Sequence, residues 1–138
     1  MGKLIGFTAG VFDMFHIGHL NLINNARRQC DYLIVGVNSD ELVKSYKNKV
    51  AVVPFEERAE IISSIKGVDE VLRIDTLDKL DAWNRRRYDL LFIGSDWKGN
   101  DRWSETEKIM GEHGVRVIYL PYTQGTTSTL LREKLTGY

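Results

Sequence analysis

Residues 31–37 read DYLIVGV. After the opening aspartate the run is almost unbroken apolar, so an extended segment here is apolar on both faces. A strand of that kind belongs in a parallel sheet covered on two sides. Just upstream, Leu20–Gln29 (LNLINNARRQ) carries apolar side chains at helical spacing, at Leu20, Leu22, Ile23 and Ala26. Further back, Lys3–Thr8 (KLIGFT) is a short apolar strand candidate. The chain therefore opens as strand, helix, strand.

The same alternation continues downstream. Asn38–Val53 reads as a loop rich in lysine, with Lys44, Lys47 and Lys49. Pro54 opens a helix that runs through Lys66, with Glu56 and Glu57 at its positive end and Gly67 as its stop. Asp69–Ile74 is a third strand and Leu77–Arg87 a polar helix. Tyr88–Ile93 is a fourth strand ending at Gly94, and Ser104–His113 a helix stopped by Gly114. Val115–Leu120 is a fifth strand, and Thr126–Leu135 a last helix entered through Ser and Thr. Alternating strands and helices predict an α/β fold with helices on both faces of a parallel sheet. Right-handed crossovers then give a Rossmann-like, doubly wound, five-stranded sheet of order 3-2-1-4-5 in one domain over residues 1–138. Ligands of such sheets bind beyond the carboxyl ends of the strands, near the switch point. The loops that matter are therefore 8–19, 38–53, 94–103 and 121–128.

Bulk composition narrows the function. The 138 residues are 43% hydrophobic, enough for a core without staples. Lys plus Arg and Asp plus Glu number 19 each, which argues against a general nucleic-acid binder. The single cysteine, Cys30, permits no internal disulfide and reads as a small packed residue. Residues 1–10 show no basic stretch leading into a long apolar one, and no run approaches a membrane span. A soluble, cytoplasmic chain is expected.

One loop concentrates the chemistry. Thr8–His19 reads TAGVFDMFHIGH, with His16 and His19 three apart where the first strand hands over to the first helix. Residues at i and i+3 share a helix face, so both imidazoles can point at one spot. The helix start adds free N–H groups and a positive dipole end, while Gly10 permits close backbone approach. Together these parts suit an anion, and a phosphate is the natural guest. Zinc is a poor alternative. It takes three or four ligands, whereas His113 lies at a distant helix end and Cys30 beyond the far end of the first helix.

GVFDMFHIGH (10–19) resembles the signature of the nucleotidyltransferase superfamily that uses an HxGH motif. The likeness continues in register. NSDE (38–41) follows the second strand as in cytidylyltransferases, and FEERAEIISSIKGVDEV (55–71) resembles their helix with an ER pair and a following VDEV strand. GSDWKG (94–99) is similar to the GDDWEG-like loop of glycerol-3-phosphate cytidylyltransferases, and YTQGTTST (122–129) to their RTEGIST-type motif. Class I aminoacyl-tRNA synthetases share HxGH, but this chain is too short for one and shows no KMSKS-like element.

The resemblance implies transfer of a nucleotidyl group from a nucleoside triphosphate to a phosphorylated acceptor, with release of pyrophosphate. His16 and His19 would contact the triphosphate and stabilise the transition state. Lys47 would bridge the acceptor phosphate and the α-phosphate, with Lys49 a second lysine nearby. Gly10, Val11, Phe12 and Gly94 would line the nucleotide. Arg58 would either tie its helix to the active loop or bind phosphate. Asp96 and Trp97 match the loop around the nucleobase; packing is the alternative for the tryptophan. Thr123, Gly125, Thr127 and Ser128 would hold phosphates at the last helix start, where ordinary capping is the alternative. Asp13 and Lys66, with Lys47, fall on the acceptor side, Asp13 shaping its loop more than doing chemistry. Magnesium would accompany the triphosphate, held mostly by phosphate oxygens and water. A homodimer is implied, with CTP and a small alcohol phosphate as partners, and no nucleic acid or membrane.

Four positions depart from the pattern. Tyr122 stands where the RTEGIST arginine would be, Gln124 replaces its acid, Lys66 replaces a helix arginine, and Val11 a threonine. Arg102 and Arg132 are candidates to replace the lost charge. TTST after Gly125 also resembles the GxSTT of heptose-phosphate adenylyltransferases, which use ATP. Adenylyl transfer to a sugar phosphate and a non-catalytic nucleotide-binding module therefore stand beside cytidylyl transfer.

Overall fold

The computed structural model describes residues 2–47, 50–95, 99–121, 131, 134 and 135. In chain order its elements are β1 (Ile5–Gly10), α1 (Ile17–Arg27), β2 (Tyr32–Asn38), α2 (Asp40–Lys47), α3 (Phe55–Ser63), β3 (Glu70–Ile74), α4 (Lys79–Arg85), β4 (Leu90–Gly94), α5 (Asp101–Glu112) and β5 (Arg116–Leu120). The strands form one parallel sheet of order β3-β2-β1-β4-β5, as the apolar runs predicted. The switch point lies between β1 and β4, where Gly6 pairs with Leu90 and Phe7 with Leu91.

Side-chain alternation along β2 divides the core. Leu33, Val35 and Val37 face one cluster with Ile23 and Ala26 of α1 and Ile62 of α3. Ile34 faces the other, with Leu42 of α2, Ala82 of α4 and Met110 of α5. Both faces are dry, which is why β2 has no polar alternation. Cys30 is buried, its thiol directed to the Ala26 carbonyl. Gly36 belongs to the second face because a Cβ there would sit 2.7 Å from Ile74 and 3.0 Å from Phe7. Among the described residues no helix is long and apolar enough to cross a membrane.

Three expectations need correction. The segment 38–53 is not all loop: it contains α2, whose first turn carries Asp40 and Glu41 and whose last turn carries Lys44 and Lys47. These charges complement the helix dipole. Ser39 starts the helix, its Oγ accepting from the Leu42 N–H at 3.2 Å. Second, α5 begins at Asp101 rather than Ser104, because the Asn100 side chain accepts from the Arg102 and Trp103 N–H groups. Third, Pro54 stands just outside α3 as its cap and the helix ends at Ser63, short of Lys66. The helix expected over 126–135 falls mostly outside the described residues.

Candidate active site

The site is built at the carboxyl end of β1. The chain leaves the strand at Gly10 and reaches α1 at Ile17 through six residues. Phe12 (φ 53°) and Met14 (φ 49°) both take left-handed backbone in that connection. Non-glycine residues there cost of order 1–3 kcal/mol each and persist only when their surroundings over-determine them. The surroundings do so here. Phe12 is buried in the core, and Asp13 between the two strained residues is 3% exposed. The Asp13 carboxylate accepts the Val52 N–H at 2.8 Å and the Val53 N–H at 2.9 Å.

Arg58 locks the same loop from the other side. Its side chain is 1% exposed on α3. Nε donates to the Val53 carbonyl at 2.8 Å, and Nη1 to the carbonyls of Val11 (2.7 Å) and Asn38 (2.8 Å). Nη2 pairs with the Asp40 carboxylate. One guanidinium thus ties together the loops after β1 and β2 and the segment before α3. Of the two roles open to Arg58, the structure gives it the structural one: its donors are directed into the protein and not toward a nucleotide. The Asp13 carboxylate likewise holds the 52–53 backbone against the loop after β1.

His16 is the N-cap of α1, with extended backbone and its Nδ1 accepting the Gly18 N–H at 3.1 Å. An accepting Nδ1 places the proton of the neutral ring on Nε2. The His19 ring stacks on the His16 ring at 3.8 Å between centroids and 26° between planes. Phe12 meets His19 edge-on at 5.3 Å, and Phe15 lies 5.4 Å away. The expected sharing of one face by residues three apart is thereby realised. Burial lowers the pKa of both imidazoles. His19 falls to about 4, through burial first and the adjacent His16 second; Asp13 opposes the shift and Lys47 adds to it. Both rings are neutral near pH 7 and present N–H donors rather than positive charges. Lys47 stands at the end of α2, with its ammonium 5.8 Å from the Tyr46 ring centroid.

The remaining candidates divide by place. Gly10, Val11 and Phe12 line the loop itself, and Gly94 ends β4 on the same edge of the sheet. Lys66 is a correction: it is exposed in the turn between α3 and β3, at the amino edge of the sheet, opposite the histidines. It cannot reach an acceptor held at the carboxyl edge of the same chain. Lys49, Asp96, Trp97, Thr123, Gly125, Thr127 and Ser128, with Tyr122, Gln124 and Arg132, lie outside the described residues. Asn38 and Tyr46 were not singled out as site residues. The Asn38 amide donates to the Tyr46 hydroxyl at 3.1 Å, and its Oδ1 is buried with no partner among the described residues. The available signal was the NSDE stretch directly after β2.

Residues 7–134 match the family described as cytidylyltransferase-like. The chain belongs to the cytidylyltransferase-like family. Glycerol-3-phosphate cytidylyltransferase of Bacillus subtilis is 31% identical, the match covering 99% of both chains. The enzyme of that name from Bacillus spizizenii is 35% identical over 98% of both. Bifunctional protein HldE of Hyphomonas neptunium is 35% identical over 99% of this chain, which spans 28% of that protein's length. The fold agrees with a solved lipopolysaccharide core biosynthesis protein from Thermoplasma volcanium, at TM-score 0.75, 22% identity, 91% of this chain and all of the other. As a member of this family the chain is an enzyme of nucleotidyltransferase type.

Proposed function

We propose that this cytidylyltransferase-like enzyme transfers CMP from CTP to a small alcohol phosphate of the glycerol 3-phosphate kind. An acceptor phosphate oxygen attacks the α-phosphorus in line. The new P–O bond forms as the bond to the β-phosphate bridging oxygen breaks, and pyrophosphate leaves with that oxygen. The observation that carries the reading is end-to-end correspondence with glycerol-3-phosphate cytidylyltransferases, 99% of each chain in one case.

The local chemistry agrees. Two neutral imidazoles at a helix start donate N–H groups to phosphate oxygens without repelling the incoming metal. Lys47 supplies the mobile positive charge that lets two phosphates approach. Magnesium enters with the triphosphate as part of the substrate. Among the described residues no group of three or more His, Cys, Asp or Glu could hold a metal, and the Asp13 carboxylate is already bonded to backbone. The resemblance further carries a homodimer, which sedimentation tests, and a cytoplasmic setting where CTP is present.

Adenylyl transfer from ATP to a sugar phosphate is the second reading, favoured by the TTST stretch after Gly125. Calorimetric titration with magnesium–CTP and magnesium–ATP in parallel separates the two. Preference for CTP supports the first reading, preference for ATP the second, and binding of neither removes both.

A further inference from the structure

Helix α2 ends on Lys47, the mobile charge of the proposed reaction, and its last turn is held to the sheet through Tyr46. Tyr46 and Lys47 come four residues after Leu42 and Val43, the two buried residues of the helix. Side chains four apart share a helix face, so both continue the inward stripe of α2. The Tyr46 hydroxyl accepts from the Asn38 amide nitrogen at 3.1 Å. Asn38 is the last residue of β2 and is 5% exposed. The Tyr46 ring in turn lies 5.8 Å, centroid to ammonium, from Lys47.

Asn38 ties this arrangement to the site. Its neighbour Val37 pairs with Gly10, the residue from which the histidine loop leaves β1. The Asn38 carbonyl accepts from Arg58 Nη1 at 2.8 Å, and the same nitrogen donates to the Val11 carbonyl of that loop at 2.7 Å. The backbone that anchors Tyr46 is thus joined through one atom to the backbone of the histidine loop. The start of α2 is pinned as well: Asp40 pairs with Arg58, and its Oδ2 accepts the Phe55 N–H at 3.1 Å. Burying the Asn38 amide has a cost, since its Oδ1 has no partner among the described residues. The bond to Tyr46 is what an amide supplies there and an apolar side chain of that size cannot.

We infer that Asn38 and Tyr46 are positioning residues: the amide clamps the tyrosine, and the clamped ring seats the Lys47 ammonium at the sheet edge from which the histidine loop leaves. The inference rests on the transfer reaction proposed above and adds to it two residues that act through Lys47. A lysine on a free helix end samples many directions, whereas a tethered one holds its charge for two phosphates at smaller entropic cost. The seat is electrostatic as well as steric, because an aromatic face attracts an ammonium within about 6 Å.

Two readouts on the full chain test this. Without substrates, the Lys47 ε-methylene protons, assigned by NMR, should lie upfield of those of freely exposed lysines through the Tyr46 ring current. Tyr46→Leu should abolish that shift. Tyr46→Phe and Asn38→Ala cut the same hydrogen bond from opposite ends and should each reduce it; if the buried Asn38→Ala does not fold, Tyr46→Phe still reads the bond. In turnover of magnesium–CTP with glycerol 3-phosphate, Tyr46→Leu should lower kcat about five-fold and leave KM for CTP unchanged. In a Lys47→Ala background the same substitution should change kcat by less than about two-fold, because its effect travels through the ammonium. A Lys47 resonance at the ordinary position, or equal losses with and without the lysine, would overturn the inference. Absence of turnover with CTP would count against the proposed reaction and leave the NMR result to decide the positioning.

Discussion

The His16 ring does two jobs at once: its Nδ1 closes the start of α1 on the Gly18 N–H, and its face stacks on His19 at 3.8 Å. The cap sets the tautomer, which leaves the proton of the neutral ring on Nε2. On the proposed reaction, capping and phosphate recognition would be coupled through one side chain.

That coupling can be separated by substitution. His16→Ala should lose about 1 kcal/mol of stability with the cap, and about 10²–10³ in kcat with the donor. His16→Asn should restore the stability, because asparagine caps well, but leave turnover low. Urea unfolding and steady-state kinetics on the two variants read the two effects independently. Full activity in either variant would remove His16 from the mechanism.

His19 makes stability depend on pH. Its native pKa is about 4, below the ordinary 6.5. Below pH 6.5 the unfolded chain takes up a proton that the native ring refuses, so stability falls as pH drops toward 4 and is flat on this account above 7. The contribution reaches up to about 3 kcal/mol. Unfolding free energies of the native chain and His19→Gln, measured from pH 7.5 to 4.5, should converge as pH falls. A constant difference would contradict the burial of a neutral ring.

Arg58 is predicted to act through the loops. Arg58→Ala leaves the carbonyls of Val11, Asn38 and Val53 without a donor and should cost at least about 2 kcal/mol. Arg58→Lys keeps the charge but not the planar fork, and should recover only part. In both variants KM for nucleotide should rise more than kcat falls, because the residue positions the loop and does not touch the reacting atoms. A kcat loss with unchanged KM would contradict this.

Asp13 offers a related test. Asp13→Asn retains one carbonyl acceptor for two half-buried N–H groups, at Val52 and Val53, and should cost about 1 kcal/mol. The strained backbone at Phe12 and Met14 loses its clamp, so amide exchange over residues 10–16 should quicken. Unchanged exchange there would show that the loop is held by other contacts.

Much of this was readable from residue types. DYLIVGV identified a strand buried on both faces, and the shared face of His16 and His19 followed from their spacing. Helix α2 was hidden because DELVKSYK has only two adjacent apolar residues, Leu42 and Val43. Its charge polarity, acidic first and basic last, was the clue that its lysine content masked. The roles of Arg58 and Asp13 depend on partners 5 to 47 residues away along the chain. No local pattern carries such contacts. Lys66 was misplaced for a related reason: a motif position says which element a residue follows, but only the direction of the strands says which edge of the sheet it reaches.

The most direct test of the central claim is pyrophosphate release by the full chain with magnesium, using CTP or ATP against polyol and acidic acceptor phosphates. The account predicts release with CTP that requires an acceptor phosphate and is lost in His16→Asn. Release with ATP alone, or acceptor-independent release untouched by that substitution, would contradict it.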